Sequence, residues 1–351
     1  FFKQKTAYEI VDCDWSSDVC SSDLDGESSR AKGSRACHKL AATDSKALGQ
    51  GAVNGRAVTR SEAKRWGEVR WAAIFPLPVG RPFTANPLML NLAFVGLGFM
   101  AATHIKALRQ VPGVRVAALC NPSGRHLDGD FTGVAGNVGD NAPVKLEPGS
   151  FKAFRDYATM LADPDIHAVD ICAPTLAHRD LAFAALRAGK HVLCEKPFAR
   201  TAAQAREMAA VARETGRVLM PAMCLRFFPE WVWVRAAIAD GRFGKVHSAR
   251  FRRVAEPPGW GQANFLDGAK SGGALLDLHI HDTDFVQFCF GRPRSVRSVG
   301  YSKVSGAIDH VVTEYEVTSG AMVHAEGAWC FTPGFGFNMS YTVNFERATV
   351  D

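Results

Sequence analysis

The chain has 351 residues, 47% hydrophobic and 22% charged, which excludes a disordered polymer and leaves room for about two domains. The formal charge of +6 is split evenly, Lys and Arg against Asp and Glu standing 13 to 10 before Met89 and 28 to 25 from there on, with no basic run interleaved with aromatics to suit nucleic acid. The apolar stretch 71–79 is far short of the ~20 residues that span a bilayer, and nine cysteines without a CxxC pair read as reduced thiols of a cytoplasmic protein.

Residues 1–24, FFKQKTAYEIVDCDWSSDVCSSDL, resemble the translation of a sequencing-library adapter. From 25 to 88 the chain is rich in Ser, Ala, Gly and Arg and has neither helical nor strand period, so 1–88 is expected to be a non-native or disordered extension without chemistry. Met89 is the first methionine, and a strand pattern follows it at once.

The apolar run 90–95 leads into Gly96-Leu97-Gly98-Phe99-Met100-Ala101 and a helical pattern to Leu108. Gly96 permits a tight turn and Gly98 lets the backbone approach a pyrophosphate. Ala101 allows close helix–strand packing, and the free N–H groups of Phe99, Met100 and Ala101 at the helix start suit phosphate. A second strand, 114–120, ends at Asn121, where NAD sites usually place a carboxylate for the ribose hydroxyl. Asn121 still offers hydrogen bonds and Ser123 with Arg125 suits a 2'-phosphate, so both NAD and NADP are open with a tilt to NADP; a capped turn is the competing reading. A Gly-rich stretch, 124–149, has no helical period where a helix and strand are normally found, and reads as a long loop or a local sequence fault. Beyond it a short helix near 156–161, strands at 168–172, 191–194 and 217–221, and helices at 177–188 and 202–215 predict a doubly wound parallel sheet.

At Glu195-Lys196-Pro197, directly after a strand, the chain resembles the glucose-fructose oxidoreductase, inositol dehydrogenase and MocA family. The glycine turn with His104 behind it, the segment FRDYATMLADPDIHAVDICAP before His178, and GGALLDLHIHDTD at 272–284 carry the same resemblance over roughly 89–345. It implies an NAD(P)-binding Rossmann domain (89–222) and an α+β domain with an open, mostly antiparallel sheet (223–351). It implies hydride transfer between NAD(P) and a secondary alcohol or ketone of a sugar, inositol or related polyol, without a metal. By position Lys196, Asp277 and His281 match the family's active-site lysine, aspartate and acid/base histidine. Ala173, Pro174, Thr175, His178, Glu195 and Lys196 fall at cofactor-side positions, and Arg226 joins Lys196, Asp277 and His281 on the substrate side.

The residue types suit those roles. Alcohol oxidation releases a proton as hydride leaves, which wants a base titrating near neutrality, and Lys196 would donate to the reacting oxygen. Asp277 and His281 are four apart in a run, 274–290, that reads as one helix and would share a face. His279 and His281 form an HxH pair, but ligands two apart diverge on a helix, so no metal is expected. Trp260 is a weaker substrate candidate. The competing functions are an NAD-dependent glycosidase of the same fold and a non-catalytic dinucleotide-binding regulator; Lys196, Asp277 and His281 together oppose the latter. Strand-like runs at 246–254, 295–301, 310–317 and 321–328 predict the second sheet, whose outer face would pair copies in a homo-oligomer. From Met89 the chain is short for the family and is expected to lack its last strands.

Overall fold

The computed structural model describes residues 89–134, 136 and 142–351. The expectations for 1–88 and for the Trp260 side chain lie outside the described residues. Among the described residues no helix is long and apolar enough to cross a membrane.

Strand β1 (Leu90–Val95) is buried along almost its whole length, as an unbroken apolar run requires when both faces of a parallel sheet are covered. It lies between β2 (Val114–Cys120) and β4 (Ala168–Ile171). With β3 (Lys152–Phe154), β5 (His191–Cys194) and β6 (Leu219–Pro221) these form an all-parallel sheet of order β3-β2-β1-β4-β5-β6. Helices α1 (Phe99–Leu108), α2 (Tyr157–Ala162), α3 (Thr175–Arg187) and α4 (Ala202–Thr215) cover it. Local chemistry sets their ends: the Asp156 side chain accepts from Thr159 N at 2.7 Å and that of Thr201 from Gln204 N at 3.2 Å. Gly216, at φ 64°, closes α4 in the left-handed conformation. The order reverses direction between β1 and β4, so a crevice opens at the carboxyl ends of these two strands.

The Gly-rich segment before β3 contains no helix among its described residues. Phe131 and Val144 bury their side chains beside Leu92, Phe94 and Ile105, and Asp130 bridges Lys145, so an irregular loop covers the sheet where a helix normally would.

The second sheet has the order β12-β11-β7-β10-β9-β8. Its strands are β7 (Val246–Ala255), β8 (Ser295–Tyr301), β9 (His310–Glu316), β10 (Met322–Ala328), β11 (Phe337–Phe345) and β12 (Thr349–Val350), antiparallel except where β7 meets β10. Helices α5 (Pro229–Asp240), α6 (Gly273–Asp277) and α7 (Ile280–Phe290) lie on one face. Trp231 is the pivot of this core, edge-on to Phe285 at 4.7 Å and stacked near Phe251 at 5.9 Å.

The single helix expected over 274–290 is broken at Leu278 and His279. The amide of His279 reaches back five residues to Ala274 O at 2.8 Å, a widened turn that lets its ring leave the helix for the sheet. There Nε2 meets Thr313 Oγ1 at 2.9 Å, and the ring lies so close to Gly327 that a Cβ at that glycine would stand 2.7 Å from the His279 Cβ. A tertiary contact overrides the helical period.

Candidate active site

At the crevice, Gly96 has φ +83°, and a Cβ added there would lie 2.5 Å from Ala173 N, so only glycine lets β1 turn against the end of β4. A Cβ at Gly98 would meet nothing within 4 Å: space is open in front of that backbone. Gly98 caps α1 with no side-chain bond, the first turn holds no acidic residue, and Ala101 is fully buried against the sheet. Phe99 turns its ring toward Gly136 of the loop. Open space facing helix-start N–H groups that no hydrogen bond among the described residues claims fits a dinucleotide pyrophosphate. Ala173, Pro174 and Thr175 form the neighbouring rim, where Pro174 precedes α3.

Past β2 the capped-turn reading describes the side chains. Asn121 Oδ1 accepts from Ser123 N at 3.2 Å and Ser123 Oγ at 2.9 Å, while its Nδ2 donates to Arg125 O at 2.9 Å. The Asn121 carboxamide is thereby engaged locally, and Arg125 remains exposed.

Across the crevice Lys196 Nζ donates to Asp277 O at 2.9 Å and to Oδ1 at 3.2 Å, joining the end of β5 to the end of α6. The sequence reading paired Asp277 with His281 on one helix face. The break after Asp277 undoes that face: the carboxylate holds Lys196, and His281 Nδ1 faces Cys224 Sγ at 3.9 Å. Burial, helped by the nearby cations Arg253 and Lys196, pushes His281 well below its ordinary 6.5, so its imidazole is neutral. Arg253 is in turn bonded to the fully buried Asp282 at 2.9 Å. His279 and His281 point apart, toward Thr313 and Cys224.

Three of the expected site residues are engaged by other groups of the protein. His178 is buried, its nitrogens 2.8 Å from Pro197 O and from Ala173 O, where it ties the turn after β4 to the turn after β5. Arg226 fills its guanidinium fork with Asp284, at 2.8 and 2.6 Å, and lies 4.7 Å over the Phe288 ring, a packed ion pair. Glu195 faces inward: Oε1 meets His104 Nε2 at 3.1 Å and Oε2 accepts Lys196 N–H at 2.9 Å. His104 Nδ1 reaches Asp170 at 2.9 Å, with Cys172 Sγ 3.4 Å from the same carboxylate. The donor atoms of His104, Asp170 and Cys172 all lie within 4.8 Å of one another, a metal-like set that is already joined by hydrogen bonds. The sequence reading missed Asp170, Cys224 and Arg253; the signal for the first was a lone acid inside the apolar strand AVDI.

A Rossmann sheet of order 3-2-1-4-5-6 with a glycine turn at its switch point, facing a second sheet across a Lys–Asp contact, defines a two-domain dinucleotide-binding protein. The family model "Oxidoreductase family, NAD-binding Rossmann fold" matches residues 90–223, and "GFO/IDH/MocA C-terminal domain" matches 231–351. The chain belongs to the Gfo/Idh/MocA family of NAD-binding oxidoreductases. It is 42% identical over 151 residues to 1,5-anhydro-D-fructose reductase of Ensifer adhaerens, covering 42% of this chain and 44% of that one. To trans-1,2-dihydrobenzene-1,2-diol dehydrogenase of Bos taurus it is 33% identical over 201 residues, 55% of this chain and 56% of the relative. The chain thus spans about half the length of the curated relatives it matches. The crystal structure of a putative myo-inositol dehydrogenase from Sinorhizobium meliloti superposes with a TM-score of 0.61 at 26% identity, covering 74% of this chain and 75% of that one.

Proposed function

We propose that this chain carries the site of an NAD(P)-dependent oxidoreductase that moves a hydride between nicotinamide and a secondary alcohol or ketone of a sugar, inositol or related polyol. The observation that carries it is the Lys196–Asp277 contact across the crevice with a neutral, buried His281 beside it. Gly96, Gly98, Phe99, Met100 and Ala101 would hold the pyrophosphate through backbone N–H groups, with Ala173–Thr175 as the rim and Ser123 and Arg125 nearest the ribose. The bound dinucleotide supplies the hydride acceptor. Lys196 donates to the substrate oxygen, Asp277 holds the ammonium in place, and Nε2 of His281 takes the hydroxyl proton. That direction needs the Nδ1–H tautomer, with the hydrogen aimed at the Cys224 sulfur.

Two units, 89–222 and 223–351, are supported by the two separate sheets. The six cysteines among the described residues are all free thiols, which fits a reducing, cytoplasmic setting. Edge strand β8 exposes Val299 at 63% and Tyr301 at 51% on one face, which supports a homo-oligomer covering that sheet. Titrating NADH and NADPH by fluorescence and following absorbance with a polyol panel tests the reading: saturable binding with turnover supports it, and a folded protein that binds neither nucleotide sinks it.

A further inference from the structure

The crevice rests on a buried polar chain that the proposed chemistry does not itself use. His104 projects from α1, the helix whose first turn forms the dinucleotide cradle, and places one ring nitrogen on each of two carboxylates. Asp170 on β4 is 1% exposed and Glu195 after β5 is 6% exposed, while His104 keeps 19% of its side chain in contact with solvent. The groups facing the imidazole from the packed elements are therefore Asp170 and Cys172 from β4 and its end, and Glu195 from the end of β5. Neither carboxylate has a cationic side chain within bonding distance other than His104 among the described residues. The free oxygen of Glu195 holds the backbone N–H of Lys196, and Lys196 reaches Asp277 in the other domain.

We infer that His104 is a positioning residue for Lys196: by bridging Asp170 and Glu195 it fixes the Glu195 carboxylate, and Glu195 fixes the backbone from which the Lys196 ammonium reaches the reacting oxygen. The chain runs from cofactor helix to catalytic lysine without touching substrate. A group three bonds removed matters because effective catalysis needs its donors held within about half an ångström, and a misplacement of about 1 Å costs roughly 100-fold in rate. Burial alone would lower the His104 value, but the bonds from Asp170, Cys172 and Glu195 outweigh it and hold it above 6.5, which favours the doubly donating imidazolium.

This inference rests on Lys196 being the reacting-oxygen donor, and two readouts separate the claims. The first is chemical: the rate at which a small amine-acylating reagent labels Lys196, followed by peptide mass spectrometry on the full chain, which needs no substrate. The second is steady-state kinetics with whichever polyol the wild type turns over. His104→Gln leaves two buried carboxylates facing one neutral amide, so it is accompanied by H104Q/D170N, which removes one anion together with the cation, and by Glu195→Gln, which keeps the volume and the acceptor for Lys196 N–H. The expected result in the folded variants is Lys196 labelling about 3-fold to 10-fold faster, kcat lower by roughly 10-fold to 100-fold, and NADH affinity within about 2-fold. Labelling and kcat at wild-type values in any of the three overturn the inference, since a merely structural histidine changes the melting temperature alone. A wild-type chain that binds nucleotide but turns over no polyol counts against the proposed function, while the labelling comparison still decides the positioning role.

Discussion

Replacing Arg253 by Met removes the counter-ion of a carboxylate that water does not reach. Asp282 is 0% exposed and Arg253 4%, and their contact is 2.9 Å, so the single change strands a buried charge. Breaking such a pair from one side costs about 3–5 kcal/mol. At about 2–4 °C per kcal/mol for a protein of this size, the melting temperature in calorimetry should fall by roughly 6–20 °C. R253M/D282L, which replaces the pair by apolar side chains, should recover most of that loss, because a buried pair is of little net value against a well-packed hydrophobic substitute. A second readout comes from His281. Its folded value lies below 6.5 through burial and the cations Arg253 and Lys196, so the neutral ring contributes stability that is complete above pH 6.5 and is lost as pH falls toward the folded value. Removing Arg253 raises that folded value, which narrows the window and moves the acid limb of the kcat/KM profile to higher pH. A stability loss under about 1 kcal/mol, a double variant no more stable than the single, or an acid limb that moves down refutes this account.

Lys196→Met should lower kcat by roughly 100-fold to 10,000-fold while NADH binding stays within about 2-fold, because the ammonium acts on the substrate oxygen; equal loss of binding in the fluorescence titration would contradict that division. Gly98→Ala should fold with unchanged thermal stability, since its Cβ meets nothing within 4 Å, yet weaken dinucleotide binding by about 10-fold or more through blocked approach of the pyrophosphate. Gly96→Ala, with φ +83° and a Cβ 2.5 Å from Ala173 N, should instead lose about 1–3 kcal/mol of stability in denaturant titration. Asp309 accepts from the backbone N–H groups of Lys303, Val304 and Ser305, from Ser305 Oγ and from Trp329 Nε1. Against the upward push of burial these bonds hold it at about 2, below its ordinary 3.8. Its contribution is present above pH 3.8 and lost as pH falls through about 2, so Asp309→Asn should flatten acid unfolding over that window and cost about 1–3 kcal/mol at neutral pH.

Much of the Rossmann half was legible because its signals are local. Strands β1, β2 and β5 announce themselves as short apolar runs, α4 by its period between Thr201 and Gly216, and the crevice by glycines two apart. The same local logic misjudged 274–290: the helical period continues through Leu278 and His279, but Gly327, 48 positions later, provides the space that draws His279 out of the helix. The stretch 124–149 reads as a long loop from its composition, but nothing in that composition shows that Phe131 and Val144 from it would pack onto the sheet before β3.

The candidate site divides along the same line. From the sequence alone came the residue types, the glycine turn and the Lys196, Asp277 and His281 positions, since each belongs to a short motif with its own chemistry. Only the tertiary structure decided which polar groups meet. Asp277 pairs with Lys196 across 81 residues, Arg226 is taken by Asp284 across 58, and Asp170 answers His104 across 66. A buried charge or imidazole must find a partner wherever the packing of sheets and helices presents one, and that choice depends on distances in space that no spacing along the chain encodes.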